Sequence, residues 1–379
     1  MGIVRGSATL LRYKCSKENV DPFGPDIESG IRNLAAQDIE HAGEETSIGW
    51  VAPTHLLDTD ITLEKIIFGN WLVAVTRTDR RKVANNLLQA YTEVEVDAAR
   101  RAGNRVSRAD KLDIKDRLRE ELTKRTLPTV SGVDFAWNLK TGDMFLGSSS
   151  SAANDSFVKL FRESFGYSFA VTGVRDTVAL KLGEEKGILF DDLLPARFDS
   201  LKEPEVAAHG TGALPLADDF AGQEFLTWLM FCFEKRGGEL RTFDDRSVAV
   251  VFEDQLVFCS SDSEGQRSIL RRGTPTNSAE AATALASGRL LERAKVTFAD
   301  SEEQWTLILA SKGLEMSSVK LPKSKEREMS ARIQERCDSL QELAAHVDGL
   351  FCSFMSVRLS PDWESERSEM ARWVEEKSR

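Results

Sequence analysis

Residues Ala99–Ser131 read ARRAGNRVSRADKLDIKDRLREELTKRTLPTVS, and the rest of the chain is organised around them. The stretch holds ten cations, Arg100, Arg101, Arg105, Arg108, Lys111, Lys115, Arg117, Arg119, Lys124 and Arg125. Five acids oppose them, Asp110, Asp113, Asp116, Glu120 and Glu121, which leaves a local charge of +5. The whole chain, 379 residues long, carries −11. Ser107 is placed to cap a helix, and Leu127-Pro128 to stop it, because proline disfavours helical backbone at the residue before it. At about 100° per residue, Arg108, Lys111, Lys115 and Arg119 fall within roughly 80° of arc. The five acids lie on the far side, and Ile114, Leu118 and Leu122 form an apolar strip along one edge of the basic stripe. A solvated helix laced by i,i+4 ion pairs would alternate its signs along one face. Charges sorted by sign beside an apolar anchor suit a surface that tracks phosphates.

Composition sets the wider frame. The apolar share of 41% and the charged share of 29% are those of an ordinary globular protein, and the length suggests two or three lobes. There is no apolar run of membrane-spanning length, no signal-peptide pattern at the N-terminus and no myristoylation spacing after Gly2, so a cytoplasmic location is expected. The cysteines Cys15, Cys232, Cys259, Cys337 and Cys352 include no Cys-x-x-Cys pair and read mostly as buried thiols. His41, His55, His209 and His346 are scattered, so local spacing assembles no zinc site, and no metal or cofactor is expected. The global acidity opposes indiscriminate binding of nucleic acid, but association depends on the local field.

Taken in order, the chain predicts a strand over residues 3–13, a helix near Ile31–Ile39, and a short strand at Ile48–Pro53 with Trp50 as a core residue. A strand in Lys65–Arg77 places Trp71, Val73 and Val75 on one face. A helix from about Arg80 to Arg101 shows Val83, Leu87, Tyr91, Val94 and Ala98 at helical spacing, with Gly103 after it. Beyond the basic helix, Phe135, Trp137 and Leu139 alternate into a Lys140–Asp143 turn, and a helix follows at Asn154–Phe165. Residues 176–223, rich in Pro, Gly and Ala, read as a linker or excursion between lobes 1–175 and 224–379. The second lobe predicts an apolar helix at Glu224–Lys235 and a hairpin of Ser247–Phe252 and Gln255–Cys259 turning at Glu253-Asp254. A basic strand Ser268–Arg272, a helix Ser278–Ser287, a meander through Arg289–Phe298, Gln304–Ala310 and Leu314–Leu321, and a long helix Glu328–Val357 complete it. Hairpins and meanders packed on helices make an α+β fold with two lobes.

Several chemistries leave no trace in the sequence. It holds no P-loop, no dinucleotide-binding glycine fingerprint after a strand and no nucleophile elbow. His209-Gly210-Thr211-Gly212 reads as a loop. The nearest approach to a metal-dependent nuclease is Asp176 followed by Glu184-x-Lys186, since such an enzyme needs carboxylates for Mg²⁺ and a nearby lysine.

In its order of features the chain resembles the RdgC family of recombination-associated bacterial proteins. The matching residues are Gly49-Trp50-Val51-x-Pro53; the charged helix followed by Leu127-Pro128; Trp137 with Gly142; Leu160-Phe161-Arg162 with Gly166; Leu226-Thr227-x-Leu229; Arg271-Arg272; Gly288-Arg289; Val319-Lys320-Leu321; and Asp348 with Phe351, Phe354 and Met355. Glu234–Gln266 looks like an insertion relative to shorter members. The resemblance implies an elongated, curved subunit that closes into a ring-shaped homodimer around double-stranded DNA. It implies binding indifferent to sequence and restraint of RecA-promoted strand exchange; single-stranded DNA is a further expected ligand. It carries candidate DNA contacts onto Arg100, Arg101, Arg105, Arg108, Lys111, Lys115, Arg119, Lys124, Arg125, Arg271 and Arg272. It carries a subunit contact onto Leu127, Pro128, Val130 and Ser131, where the family's Arg-Ala-Phe is replaced by Thr129-Val130-Ser131. The family's older label names an exonuclease. The expectation is therefore a non-enzymatic DNA-binding protein, with a nuclease using Asp176, Glu184 and Lys186 as the alternative and a protein-docking module as a third reading.

Overall fold

A computed structural model describes residues 2–37, 46–198, 217–260 and 267–379. The chain runs through β1 (Ala8–Cys15), α1 (Pro25–Arg32), β2 (Thr46–Val51), the single turn α2 (Leu63–Ile66), β3 (Ile67–Phe68) and β4 (Trp71–Arg80). Then come α3 (Asn85–Arg101), α4 (Arg108–Arg125), β5 (Thr129–Asn138), β6 (Asp143–Leu146), α5 (Ser151–Phe165) and β7 (Phe169–Val171). The C-terminal part supplies α6 (Val174–Leu182), α7 (Glu184–Asp191), α8 (Ala217–Arg236), β8 (Glu239–Arg241), β9 (Ser247–Cys259) and β10 (Arg267–Arg271). It ends with α9 (Ala279–Ala286), β11 (Leu290–Ala299), β12 (Gln304–Ala310), β13 (Met316–Lys320), α10 (Met329–Arg358) and α11 (Trp363–Ser378). The fold is α+β with antiparallel strand pairing. It forms two compact units: a larger one of residues 1–16, 142–149 and 169–379, and a smaller one of 17–141 and 150–168. The units draw on the chain discontinuously, whereas the sequence divides at 175 and 223.

In the smaller unit, β4 pairs with β2 on one side and β5 on the other, and β3 folds back on its start. Side chains alternate across a strand, so one face carries Trp50, Phe135 and Trp137. Helix α5 covers that face: the Phe135 and Phe157 rings lie 4.8 Å apart and Trp137 meets Phe161 at 5.4 Å. Trp50 is fully buried, and its indole N–H donates to Ser164 Oγ at 2.7 Å. Gly49 is required beside it. A Cβ there would stand 2.5 Å from the Ala36 backbone, because Leu34–Ala36 bonds directly to the Trp50 backbone. That bonding is why the helix expected near Ile31–Ile39 is instead α1, which starts at Pro25 and stops at Arg32. Residues 38 and 39, like His41, His209 and the loop 209–212, lie outside the described residues.

In the larger unit the strand order is β10-β9-β11-β12-β13-β1-β6, with β7 on β1 and β8 on β9. The apolar stripe of α10, from Ile333 through Leu340 and Val347 to Phe354, is buried in its core. Three expectations change here. The first strand starts at Ala8, not residue 3, because Gly6 turns the chain with φ +73° and Arg336 takes the carbonyls of Gly2, Ile3 and Gly6. Glu253-Asp254 is no hairpin turn: β9 continues through it, with a bulge that sets residues 253–255 opposite Lys295 of β11. Thr297 donates to Glu253 at 2.6 Å and Lys295 to Asp254 at 2.7 Å, so partners on the neighbouring strand hold both acids in extended backbone. The described part of the 234–266 segment supplies β8 and β9 of the sheet. The stretch 176–198 is no linker either, since α6 and α7 occupy it.

Candidate nucleic-acid interface

Helix α4 begins as its sequence dictates. Ser107 is the N-cap, Asp110 completes a reciprocal capping box, and the helix ends at Arg125 just before Leu127-Pro128. Its apolar strip is the anchor. Leu118 and Leu122 are buried against Val83 at the entry to α3 and Leu88 within it, with Ile114 half-buried beside them. Burying two leucines and part of an isoleucine is worth on the order of 4 kcal/mol, enough to hold a helix whose other faces are solvated.

The anchor also corrects the reading of α3. Leu87, Tyr91, Val94 and Ala98 were expected to form its inward face with Val83. Val83 is buried, but Tyr91 is 47% and Val94 66% exposed, and Leu87 and Ala98 are exposed too. The buried side is Leu88, Thr92 and Val96, one residue out of step. Two apolar stripes offset by about 100° compete on this helix. The leucines of α4 cover the one that contains Leu88.

The cations of α4 keep to the solvent. Arg100, Arg101, Arg105, Arg108, Lys111, Lys115, Arg119, Lys124 and Arg125 are all exposed. Among the described residues Arg101, Arg105, Arg108, Lys111, Lys115 and Lys124 have no ion-pair partner. Arg100 sits 3.6 Å from Asp97, Arg119 3.1 Å from Asp116 and Arg125 2.7 Å from Glu121, one turn away in each case. Arg117 pairs with Glu95 of α3 and ties the two helices together. The basic stripe is therefore intact at Arg108, Lys111 and Lys115, and partly compensated at Arg119, whose edge of the arc meets the acidic side. Exposed pairs of this kind contribute only about 0.2–1 kcal/mol, so a phosphate can compete for the same guanidinium.

The remaining predicted residues are spread more widely. Arg271 and Arg272 are exposed but belong to the larger unit, at the end of β10; Arg272 has φ +76° and donates its N–H to the Asp254 carbonyl. Leu127 is exposed, Pro128 and Val130 are half-buried, and Ser131 is exposed with its hydroxyl on the Thr78 carbonyl at 3.3 Å. The nuclease candidates are each held by a structural partner. The carboxylate of Asp176 accepts the Gly173 N–H, Glu184 takes Arg175 at 2.8 Å, and Lys186 reaches the Leu359 carbonyl. Glu184 opens α7 where an exposed turn was expected.

One polar group was missed. Asp300, Glu342 and His346 bring ligand atoms within 4.8 Å of one another on the wall of a large acidic cavity in the larger unit. His346 Nε2 lies 3.0 Å from Asp300 and 3.5 Å from Glu342, and Arg246 donates to Glu342 at 2.5 Å. Burial opposes ionisation of Asp300, but the Glu303 and Glu302 N–H groups and His346 outweigh it and hold the carboxyl below its ordinary range. The Glu342/His346 spacing of four on a helix was the available signal. The third member comes from the end of β11, which no spacing reveals.

Residues 10–182 match the family model described as "RdgC: Putative exonuclease, RdgC". Among curated proteins none matches the chain. The described parts of the matched segment hold α4, its anchor on α3, and the Trp50 and Trp137 core, and it is over this segment, less than half of the chain, that the sequence is similar to the RdgC family.

Proposed function

We propose that the protein binds double-stranded DNA without regard to sequence, and that Arg108, Lys111 and Lys115 of α4 form the core of the contact surface. The observation that carries this reading is a line of exposed cations without ion-pair partners among the described residues, on a helix capped at one end and anchored by buried leucines. Like charges kept in register on a rigid helix match the regular spacing of phosphates, and each contact releases condensed counterions. The likeness of residues 10–182 to the RdgC family model supports a recombination-associated role. In this reading the protein acts as a homodimer that encircles the duplex and restrains RecA by occupying it. The exposed Leu87, Tyr91 and Val94 and the exposed Leu127 are apolar surface available to a second copy. The protein acts by binding and not by cleaving, in keeping with the structural roles of Asp176, Glu184 and Lys186.

Fluorescence anisotropy with duplexes of unrelated sequence tests the reading. Equal affinities and a steep loss with salt are expected; a strong preference for one sequence would contradict it. Incubation of the same duplexes with Mg²⁺ or Mn²⁺ should leave them intact.

A further inference from the structure

A cavity of about 350 Å³ opens in the smaller unit where β4 and β5 run out beyond the cover of α5. The strand pairing explains its polarity. On the face that carries Phe135 and Trp137 under α5, the next residues outward are Thr76, Thr78 and Arg80 on β4, facing Val133, Ser131 and Thr129 on β5. Arg80 and Lys82 stand at the wall, exposed, and neither has an ion-pair partner among the described residues. Among the described residues no carboxylate lines the cavity.

Two independent features point to a ligand. The first is α5 itself, a helix of 15 residues whose first turn carries no acid and whose N-cap, Ser150, makes no side-chain capping bond. Ala152 and Ala153 of that turn line the cavity, so small side chains leave the N-terminal N–H groups approachable there. The second is Thr76. It is 3% exposed and one of the residues lining the cavity, and its hydroxyl is buried without a hydrogen-bond partner among the described residues. Buried hydroxyls are normally satisfied, and an orphan on the wall of a polar cavity is completed by what the cavity holds.

We infer that this groove is a phosphate-binding site. A tetrahedral oxyanion uses the threonine hydroxyls of the lining, two cations at the wall and the positive end of a helix, while Ser131 and Ser156 already donate to the Thr78 and Ala152 carbonyls. The site is built from residues outside α4 and goes beyond the DNA-binding reading. Its phosphate can come from a nucleic-acid backbone or from a free phosphorylated ligand.

The test uses the full chain and inorganic phosphate, titrated by calorimetry at low ionic strength with chloride as control. Saturable binding is expected, weakened about tenfold in an Arg80→Gln/Lys82→Gln double variant as two charge-assisted contacts go. A smaller loss is expected in Thr76→Val, which keeps the side-chain shape. Arg80 and Lys82 are exposed, so the double variant should melt like the parent. Phosphate binding unchanged in both variants, or no distinction between phosphate and chloride, would overturn the site. A duplex arm identifies the source. If the double variant also lowers the slope of log affinity against log salt by about two, the phosphate is DNA backbone. If the slope holds while phosphate binding falls, the site stands and takes a free phosphorylated ligand. Groove-dependent phosphate binding in a protein that does not bind duplex at all would sink the DNA reading and leave the site standing.

Discussion

Ser107 and Asp110 cap α4 reciprocally: the Ser107 N–H donates to Asp110 Oδ2 at 2.8 Å, and the Asp110 N–H donates to Ser107 Oγ at 3.2 Å. The Ser107 N–H, helped by the Ser107 hydroxyl, holds the Asp110 carboxyl below its ordinary value. A depressed folded-state value means that the contribution is present above the ordinary carboxylate pKa and is lost as the pH falls through the lowered one. Replacing Ser107 with Ala should cost about 1 kcal/mol of helix stability, read as faster amide exchange along α4 at neutral pH. The difference between variant and parent should shrink below about pH 4. Equal exchange at neutral pH would contradict the capping.

Leu118 is the keystone of the α4–α3 contact, and it carries no charge. Leu118→Ala should cost about 2–5 kcal/mol, as other buried leucines do, felt first as loosening of α4. Duplex affinity should fall although every cation remains. Unchanged amide protection of α4 in the variant would show that the leucine strip does not hold the helix.

The exposed stripe of Leu87, Tyr91 and Val94 is apolar surface of the kind that a partner covers. If a second copy covers it, the parent should sediment at the mass of two chains and a Tyr91→Ser/Val94→Ser variant at the mass of one, with the melting temperature little changed. A parent of single-chain mass would contradict the dimer, and a variant that stays paired would move the contact elsewhere, with Leu127 next.

Glu224 and Arg358 form a buried pair at 2.8 Å, closed by the Ala196 N–H on the carboxylate and the Leu194 carbonyl under the guanidinium. Burial pushes the Glu224 carboxyl up, and Arg358 pulls it back. Arg358→Met leaves that carboxylate without its cation and should cost about 3–5 kcal/mol. Adding Glu224→Leu should recover much of it. A double variant no more stable than the single one would show that the carboxylate was not the source of the loss.

The parts of the fold legible in the sequence were those with one dominant local cause. Ser107, Leu127-Pro128 and the Leu118/Leu122 spacing specify α4 without help from the rest of the molecule. The stripe of α10 is as plain, because a thirty-residue helix repeats its signal. Where two patterns competed, tertiary contacts decided. On α3 the apolar residues fit two faces equally well, and only α4 selects Leu88 over Leu87. On β9 the acids at 253 and 254 look like a turn until Thr297 and Lys295 are seen opposite them. The groove around Thr76 was not readable at all, since its members come from two strands and a helix, and scattered hydroxyls carry no period.

The central claim is that Arg108, Lys111 and Lys115 lie along DNA phosphates. The most direct test is the slope of log affinity against log salt for a mixed-sequence duplex, in the parent and in an Arg108→Ala/Lys111→Ala/Lys115→Ala variant. Loss of up to three phosphate contacts predicts a slope shallower by between about two and three, with Arg119→Ala alone changing it less than Lys115→Ala because Asp116 already occupies part of that arginine. A triple variant whose slope matches the parent's would place the phosphates somewhere other than on α4.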